Sequence, residues 1–115
     1  MLLCSGKVYY DLLAHREKSG IKDVAIIRME RLYPIATKTL PLALEGMEKA
    51  ELRWVQEEPA NQGAWSFMAM NLPELLKRPI KGVTRAASSA PAGGTHARHE
   101  QEQRALVEEA FEPRS

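Results

Sequence analysis

The sequence predicts an α/β fold in three layers, α/β/α, built on a mostly parallel sheet of about four strands in the order 2-1-3-4. Short apolar runs alternate with segments whose apolar residues recur every three or four positions, as strands alternate with helices in such folds. The apolar runs are continuous, which is typical of parallel strands covered on both faces. With 115 residues, the chain is long enough for one domain with a buried core.

The first half of the chain contains the first two predicted strands. Residues 2–5 form a short apolar run, after which residues 5–7 turn the chain into a helix that ends at Gly20. Residues 24–27 are continuously apolar and predict the second strand. This extended segment is predicted to end near Pro34. The residue before a proline favours extended backbone, so no helix is expected before that point.

The second half continues the alternation of helices and strands. A helix capped by Thr37 or Thr39 is predicted to lead into the third strand at residues 52–56. Apolar residues then repeat with helical spacing over residues 64–76, and residues 83–87 predict a shorter fourth strand.

The last segment is predicted to be a loop followed by a helix. Residues 88–95, SSAPAGGT, are rich in small residues and form a loop too short to link two domains. The helix over residues 96–111 carries its apolar side chains near its end, and its first half is polar all round. We therefore expect this first half to face solvent or a partner.

Composition excludes several classes of protein. The 16 Lys and Arg residues nearly balance the 15 Asp and Glu residues, so neither nucleic acid nor a membrane surface is an expected partner. Cys4 is the only cysteine, which excludes an intrachain disulfide and a cysteine-rich zinc site. Because the chain opens inside a predicted strand, we expect residues 1–115 to be a single domain from a longer polypeptide.

The segment after the third strand, QEEPANQGAW, is where we expect the functional surface. Two carboxylates at the end of a buried strand are costly unless they meet partners or water, so they should face a cleft or an interface. In the predicted strand order, this segment adjoins residues 5–7 at the point where the order reverses. The interface candidates are Glu57, Glu58, Asn61, Trp65 and His99.

Two carboxylates invite the alternative of an acid/base pair. Adjacent side chains at a strand end point in roughly opposite directions, so Glu57 and Glu58 cannot both address one substrate atom. We expect one to accept hydrogen bonds from the start of the first helix, near Gly6 and Lys7, and the other to pair across an interface. No catalytic residue is therefore predicted in this chain.

Anion binding is a second alternative. Free N–H groups at a helix start attract phosphate or carboxylate, and the candidates are Ser5, Gly6, Lys7 and Arg85. The simpler interpretation is that Ser5 caps the first helix. A metal site is not predicted, because His96 and His99 lack further ligands nearby.

Four segments resemble one known family in order along the whole chain. They are LLCSGKVYYDLLAHR, VAIIRMERLYP, LRWVQEEPANQGAWSFM and RAASSAPAGGTHARHEQEQRALVEEAF. Together they closely resemble the C-terminal domain of the E1 component of 2-oxoglutarate dehydrogenase, a transketolase-like family. The CSGK turn, the QEEP-N-GAW segment and the SSAPAGGTHARH-EQ segment would each be weak alone, but the three in register are specific.

The resemblance implies an enzyme of the tricarboxylic acid cycle that decarboxylates 2-oxoglutarate with thiamine diphosphate and magnesium, both bound by domains outside this chain. It implies three partners: the other E1 domains, a second E1 subunit, and the E2 succinyltransferase with its lipoyl domain. The compartment would be the bacterial cytoplasm or, as the alternative, the mitochondrial matrix. Other hypotheses are a nucleotide- or acyl-CoA-binding regulatory module that uses Lys7 and Arg85, and an E1 for another 2-oxo acid.

Overall fold

A computed structural model of the chain describes residues 1–29, 50–85 and 96–112. Over these ranges, four strands alternate with three helices. The elements are β1 Leu2–Cys4, α1 Val8–Ser19, β2 Ile26–Arg28, β3 Leu52–Pro59, α2 Trp65–Leu76, β4 Ile80–Arg85 and α3 His96–Ala110. The helix predicted after Thr37 or Thr39 and the loop predicted at residues 88–95 lie outside the described ranges.

The strands form one sheet in the order β2-β1-β3-β4, and all neighbouring strands are parallel. Leu3 in β1 lies opposite Ile27 in β2 and Trp54 in β3, so β1 is central. The predicted fold class and strand order are confirmed. No helix in the described ranges is both long enough and apolar enough to span a bilayer.

The strand boundaries differ from the predicted ones at three places. β3 runs on through both carboxylates to Pro59, whereas the sequence placed its end at Gln56. The pairing of β3 with β4 shifts register between Val55 and Pro59, and an irregularity of this kind tolerates a residue that cannot donate a backbone hydrogen bond. β4 begins at Ile80 rather than residue 83, and β2 begins at Ile26 rather than residue 24.

Helices cover the sheet on both faces. On one face, α2 packs its Met68 and Leu72 against Leu3 and Trp54, all four nearly inaccessible to solvent. The opposite face carries α1 and α3, whose apolar residues pack on Leu2 and neighbouring strand residues. Successive side chains of a strand point to opposite faces, so adjacent residues such as Leu2 and Leu3 belong to different layers.

Cys4 gives the fold a dependence on alkaline pH. The thiol is buried, and burial raises its pKa from 9.0 to about 11. The thiol ionises at lower pH in the unfolded chain than in the folded one. Its contribution to the free energy of unfolding is therefore fully present below about pH 9 and is lost as pH rises toward about 11. We expect urea denaturation to show this loss, and the Cys4→Ala variant, although less stable throughout, to show a shallower decline. Equal slopes for the two proteins would contradict the assignment.

Candidate functional site

The candidate site lies at the carboxyl edge of the sheet, where β3 turns into α2. The buried side chain of Gln56 is hydrogen-bonded to the backbone of this turn. Its Nε2 shares two hydrogens among the carbonyl oxygens of Gln62 at 2.8 Å, Pro59 at 2.9 Å and Glu58 at 3.2 Å. Its Oε1 accepts a hydrogen bond from Trp54 Nε1 at 3.0 Å. One amide therefore connects the core tryptophan to three carbonyl oxygens of the turn.

The chemistry of these partners fixes the orientation of the Gln56 amide. Carbonyl oxygens accept only, and the indole N–H donates only, so a flipped amide would oppose like groups at every contact. Gly63 completes the turn with φ of +65°. A Cβ at Gly63 would lie 3.1 Å from the Glu58 side chain and 3.2 Å from that of Gln56, so both backbone strain and space favour glycine.

Glu57 and Glu58 point to different surroundings, as predicted for adjacent strand residues. Glu57 is half-buried, and its Oε2 accepts a hydrogen bond from Lys7 Nζ at 2.8 Å. This bond raises the pKa of Lys7, whose side chain is otherwise 75% exposed. The partner of Glu57 is thus an ammonium group rather than the predicted backbone of the helix start. Glu58 lies on the exposed side of the turn.

Ser5 does not cap α1, so that prediction is wrong. The N-cap residue is Lys7, which has helical φ and ψ and makes no side-chain cap hydrogen bond. Gly6 has φ of +77° and reverses the chain between β1 and α1. A positive φ favours glycine here, so Gly6 serves the turn. Anion binding at residues 5–7 stays a prediction.

Arg85 at the end of β4 contacts α3 through several groups. Its Nη1 lies 3.2 Å from Glu102 Oε2 and 3.3 Å from His99 Nδ1, and its Nη2 donates to Gln103 Oε1. An anion at Arg85 would compete with the carboxylate of Glu102. Both cations proposed for anion binding, Lys7 and Arg85, therefore already have carboxylate partners.

Gln103 joins α3 to two more elements of the site. Its Nε2 donates to Asp11 Oδ2 at 2.8 Å and lies 3.4 Å from Glu57 Oε1. The polar stretch of α3 that was predicted to face solvent or a partner thus contacts α1, β3 and β4 through Gln103 and its neighbours. Among these residues, His99 is exposed. No sequence pattern singles out Gln103, since an amide in a polar helix has no preferred partner.

Trp65 packs on its own sheet. Its half-buried ring lies directly over Gly82 of β4, where a Cβ would come within 2.5 Å of the ring. Asn61 and Glu58 are exposed on the turn. The interface roles of these residues stay predictions.

Polar contacts at the carboxyl edge of the sheet connect α1, α3, β3 and β4. No group of three or more His, Cys, Asp and Glu side chains in residues 1–29, 50–85 and 96–112 could bind a metal ion. The polar side chains at the sheet edge mainly bind one another. This pattern is typical of a rigid supporting surface.

The chain is similar in sequence to known proteins of 2-oxoglutarate metabolism. A family described as 2-oxoglutarate dehydrogenase C-terminal matches residues 1–111. The chain is 45% identical over 115 residues to the multifunctional 2-oxoglutarate metabolism enzyme of Mycolicibacterium vanbaalenii, covering 96% of this chain and 9% of that protein. It is 44% identical over 115 residues to the 2-oxoglutarate dehydrogenase E1/E2 component of Corynebacterium glutamicum, covering 97% and 9%. The chain thus spans about a tenth of the length of these relatives.

Proposed function

The chain belongs to the 2-oxoglutarate dehydrogenase C-terminal family, and we propose that it is the C-terminal domain of the E1 component of a 2-oxoglutarate dehydrogenase. The whole enzyme would decarboxylate 2-oxoglutarate with thiamine diphosphate and magnesium and pass the succinyl group to the lipoyl group of E2. In this proposal, the cofactor and the metal are bound by domains outside this chain. Residues 1–115 form one transketolase-like domain that supports them.

The observation that carries this role is the turn locked by Gln56. A turn tied to the core through Gln56 and Trp54 presents Glu58 and Asn61 in a fixed geometry on the surface. A backbone turn that is already ordered loses little entropy on binding, so such a turn suits a permanent contact between domains. We propose that residues 56–65 contact the neighbouring domain of the E1 subunit.

The partners of the whole enzyme follow from the same proposal. They are the other E1 domains, a second E1 subunit, and E2 with its lipoyl domain. The relative from Corynebacterium glutamicum is named as an E1/E2 component, so E2 can be part of the same polypeptide. Because the relatives described above are bacterial, we propose the bacterial cytoplasm as the compartment.

The alternative functions receive less support. Both relatives carry 2-oxoglutarate in their names, which disfavours an E1 for another 2-oxo acid. A nucleotide- or acyl-CoA-binding module would need free cations, whereas Lys7 and Arg85 are paired with Glu57 and Glu102.

If the domain has only a supporting role, the isolated domain and the full-length enzyme should differ in activity and in their response to surface substitutions. We expect the domain alone to be inactive with 2-oxoglutarate, thiamine diphosphate, magnesium and an artificial electron acceptor. Glu58→Lys should leave the stability of the domain within roughly 0.5 kcal/mol. In the full-length enzyme, it should weaken the domain contact by about 2 kcal/mol and lower both turnover and melting temperature.

Glu17→Lys is the matched control, because it makes the same charge change at an exposed position of α1. Glu17→Lys should leave the stability of the isolated domain unchanged, and likewise the turnover and melting temperature of the full-length enzyme. If the two variants behave alike in the full-length enzyme, residues 56–65 do not contact another domain. Activity in the isolated domain would refute the supporting role itself.

A further inference from the structure

The carboxyl end of β2 carries an arginine that lies beside two tyrosines of α1. The guanidinium carbon of Arg28 lies 5.3 Å from the ring centre of Tyr10 and 5.8 Å from that of Tyr9. Its Nη1 donates to the hydroxyl oxygen of Tyr10 at 3.1 Å. The two rings meet edge to face, with their centres 5.3 Å apart. A cation within about 6 Å of a ring centre is attracted by the π-system, so the tyrosines hold the guanidinium in place.

Arg28 differs from the other cations at the carboxyl edge of the sheet. Lys7 and Arg85 each bind a carboxylate, whereas Arg28 has no acidic partner in the part of the chain that the structure describes. Arg28 is exposed, and its hydrogen bond to Tyr10 leaves most N–H donors of the guanidinium without a partner among the same residues. The Tyr10 hydroxyl can also donate, since its oxygen is the acceptor in that bond. The Arg28–tyrosine cluster, defined as Arg28, Tyr9 and Tyr10, thus offers hydrogen-bond donors and one positive charge.

We propose that the Arg28–tyrosine cluster binds a carboxylate side chain of a neighbouring domain in the full-length enzyme. A planar guanidinium pairs with a carboxylate through two parallel hydrogen bonds, and the single charge of Arg28 balances one carboxylate. A phosphate group, with a charge of about −1.5 to −2, would need a second cation. Lys7 at the start of the same helix is already paired with Glu57. Because the rings already order Arg28, the pair loses less entropy on forming than an ordinary surface ion pair does.

Tyr10 and the position of the cluster favour a protein domain as the source of the carboxylate. Tyr10 is 57% exposed, and tyrosine and arginine are both enriched at protein interfaces. Arg28 of β2 and Val55 of β3 both lie opposite Cys4 of β1. Neighbouring strands are about 4.8 Å apart, so Arg28 lies about 10 Å across the sheet from the strand that leads into the turn at residues 56–65. One neighbouring domain can therefore contact both the turn and the cluster.

This inference rests on the proposed function, because the full-length enzyme must supply the carboxylate. The chain spans about a tenth of the length of its relatives, so the neighbouring domain would come from the remainder of such an enzyme. The inference adds a second contact to the one proposed for residues 56–65 and states its chemistry, an acidic side chain on the other domain. The two contacts use different side chains, so either can be tested without the other.

Photo-cross-linking in the full-length enzyme identifies the residue that the cluster contacts. The photoreactive amino acid p-benzoylphenylalanine is placed at position 10, where it keeps an aromatic ring beside Arg28. After irradiation, mass spectrometry should find this position linked to a segment outside residues 1–115 that contains Asp or Glu. Absence of such a link, or a link to a segment without an acidic residue, would overturn the proposal.

An exchange of charges then tests the ion pair itself. In the full-length enzyme, Arg28→Glu should lower the melting temperature, because it places a like charge opposite the carboxylate. Replacing the acidic residue of the linked segment with arginine should lower it too, and the two substitutions together should restore at least half of the loss. Arg104→Glu is the matched control, because it makes the same charge change at an exposed position of α3. Combined with the same second substitution, this control should restore nothing.

Neutral variants give the same test if Arg28→Glu does not fold. Arg28→Gln and the amide variant of the acidic residue each break the pair without adding repulsion. The double variant should then lose no more stability than the more damaging single one, because both substitutions remove one interaction. Strictly additive losses would show that Arg28 and the acidic residue do not bind each other, and the proposal would fail.

A small ligand is the alternative source of a carboxylate, and succinate serves as its probe. If succinate raises the melting temperature of the wild-type enzyme but not that of Arg28→Gln, a free ligand occupies the cluster and the proposal is wrong. Turnover of the wild-type enzyme with 2-oxoglutarate is measured separately. An active enzyme without coupling at Arg28 would refute this contact alone, whereas a coupled pair in an enzyme that does not use 2-oxoglutarate would refute the proposed function alone.

Discussion

Replacing Arg53 with methionine is expected to lower the free energy of unfolding by about 3 kcal/mol. The residue is charged yet only 5% exposed, and it is the second residue of β3. Its Nη1 donates to the carbonyl oxygens of Ala110 at 3.0 Å and Glu109 at 3.1 Å, and its Nη2 lies 3.1 Å from Glu51 Oε2. The guanidinium thus satisfies the last carbonyls of α3 and complements the negative end of its dipole.

Urea denaturation of the chain measures this loss. Methionine keeps the apolar length of the side chain, so the change reports mainly the hydrogen bonds and the charge. Glu51→Gln is the matched control, because Glu51 is 30% exposed and its ion pair is screened by solvent. We expect that control to cost less than about 1 kcal/mol. Equal effects of the two variants would show that the ion pair, and not the binding of α3, carries the stability.

The sequence predicted the sheet well because its signals are local. The continuous apolar runs that contain Leu2 and Ile26 are typical of buried parallel strands. The strands β1 and β2 lie within two residues of the predicted positions. The strand order follows from general rules on crossover connections and is confirmed. Gly20 ends α1 as predicted, and it adopts the left-handed conformation that is common at helix ends.

Polar contacts between elements that lie far apart in the sequence could not be predicted as well. Arg53 stands between two apolar strand residues, and a buried charge there signals a partner, yet the partner is the end of a helix 56 residues away. One of the two carboxylates was expected to accept hydrogen bonds from the start of the first helix near Lys7, and Glu57 does contact Lys7, but through the side-chain ammonium group. Such pairings depend on how far side chains reach across the packed layers, which no local pattern encodes.

Replacing Gln56 with leucine is the second large effect we expect, a loss of about 3–4 kcal/mol. Leucine matches the buried shape but leaves Trp54 Nε1 without its acceptor. The carbonyl oxygen of Gln62 loses its side-chain donor at the same time, and that of Pro59 keeps only the backbone amide of Gln62. The buried indole N–H left unpaired costs about 1–3 kcal/mol, and each lost hydrogen bond to the partly buried carbonyl oxygens adds about 1 kcal/mol, which together exceeds the gain from a more apolar core.

The variant should also loosen the turn without melting the sheet. Hydrogen exchange at the amide of Gln62, which binds Pro59 O at 2.9 Å, should accelerate more than exchange in β1. Gln62→Ala is the control, because its side chain is exposed and the turn uses only its backbone. That control should change stability by less than about 0.5 kcal/mol.

The two readouts separate a local role of Gln56 from a global one. If exchange accelerates equally throughout the chain, Gln56 stabilises the whole fold and the turn has no independent order. If only the turn loosens, the full-length Gln56→Leu enzyme should show the same loss of domain contact as Glu58→Lys. Both variants would then act on one surface, Gln56→Leu through its order and Glu58→Lys through its charge.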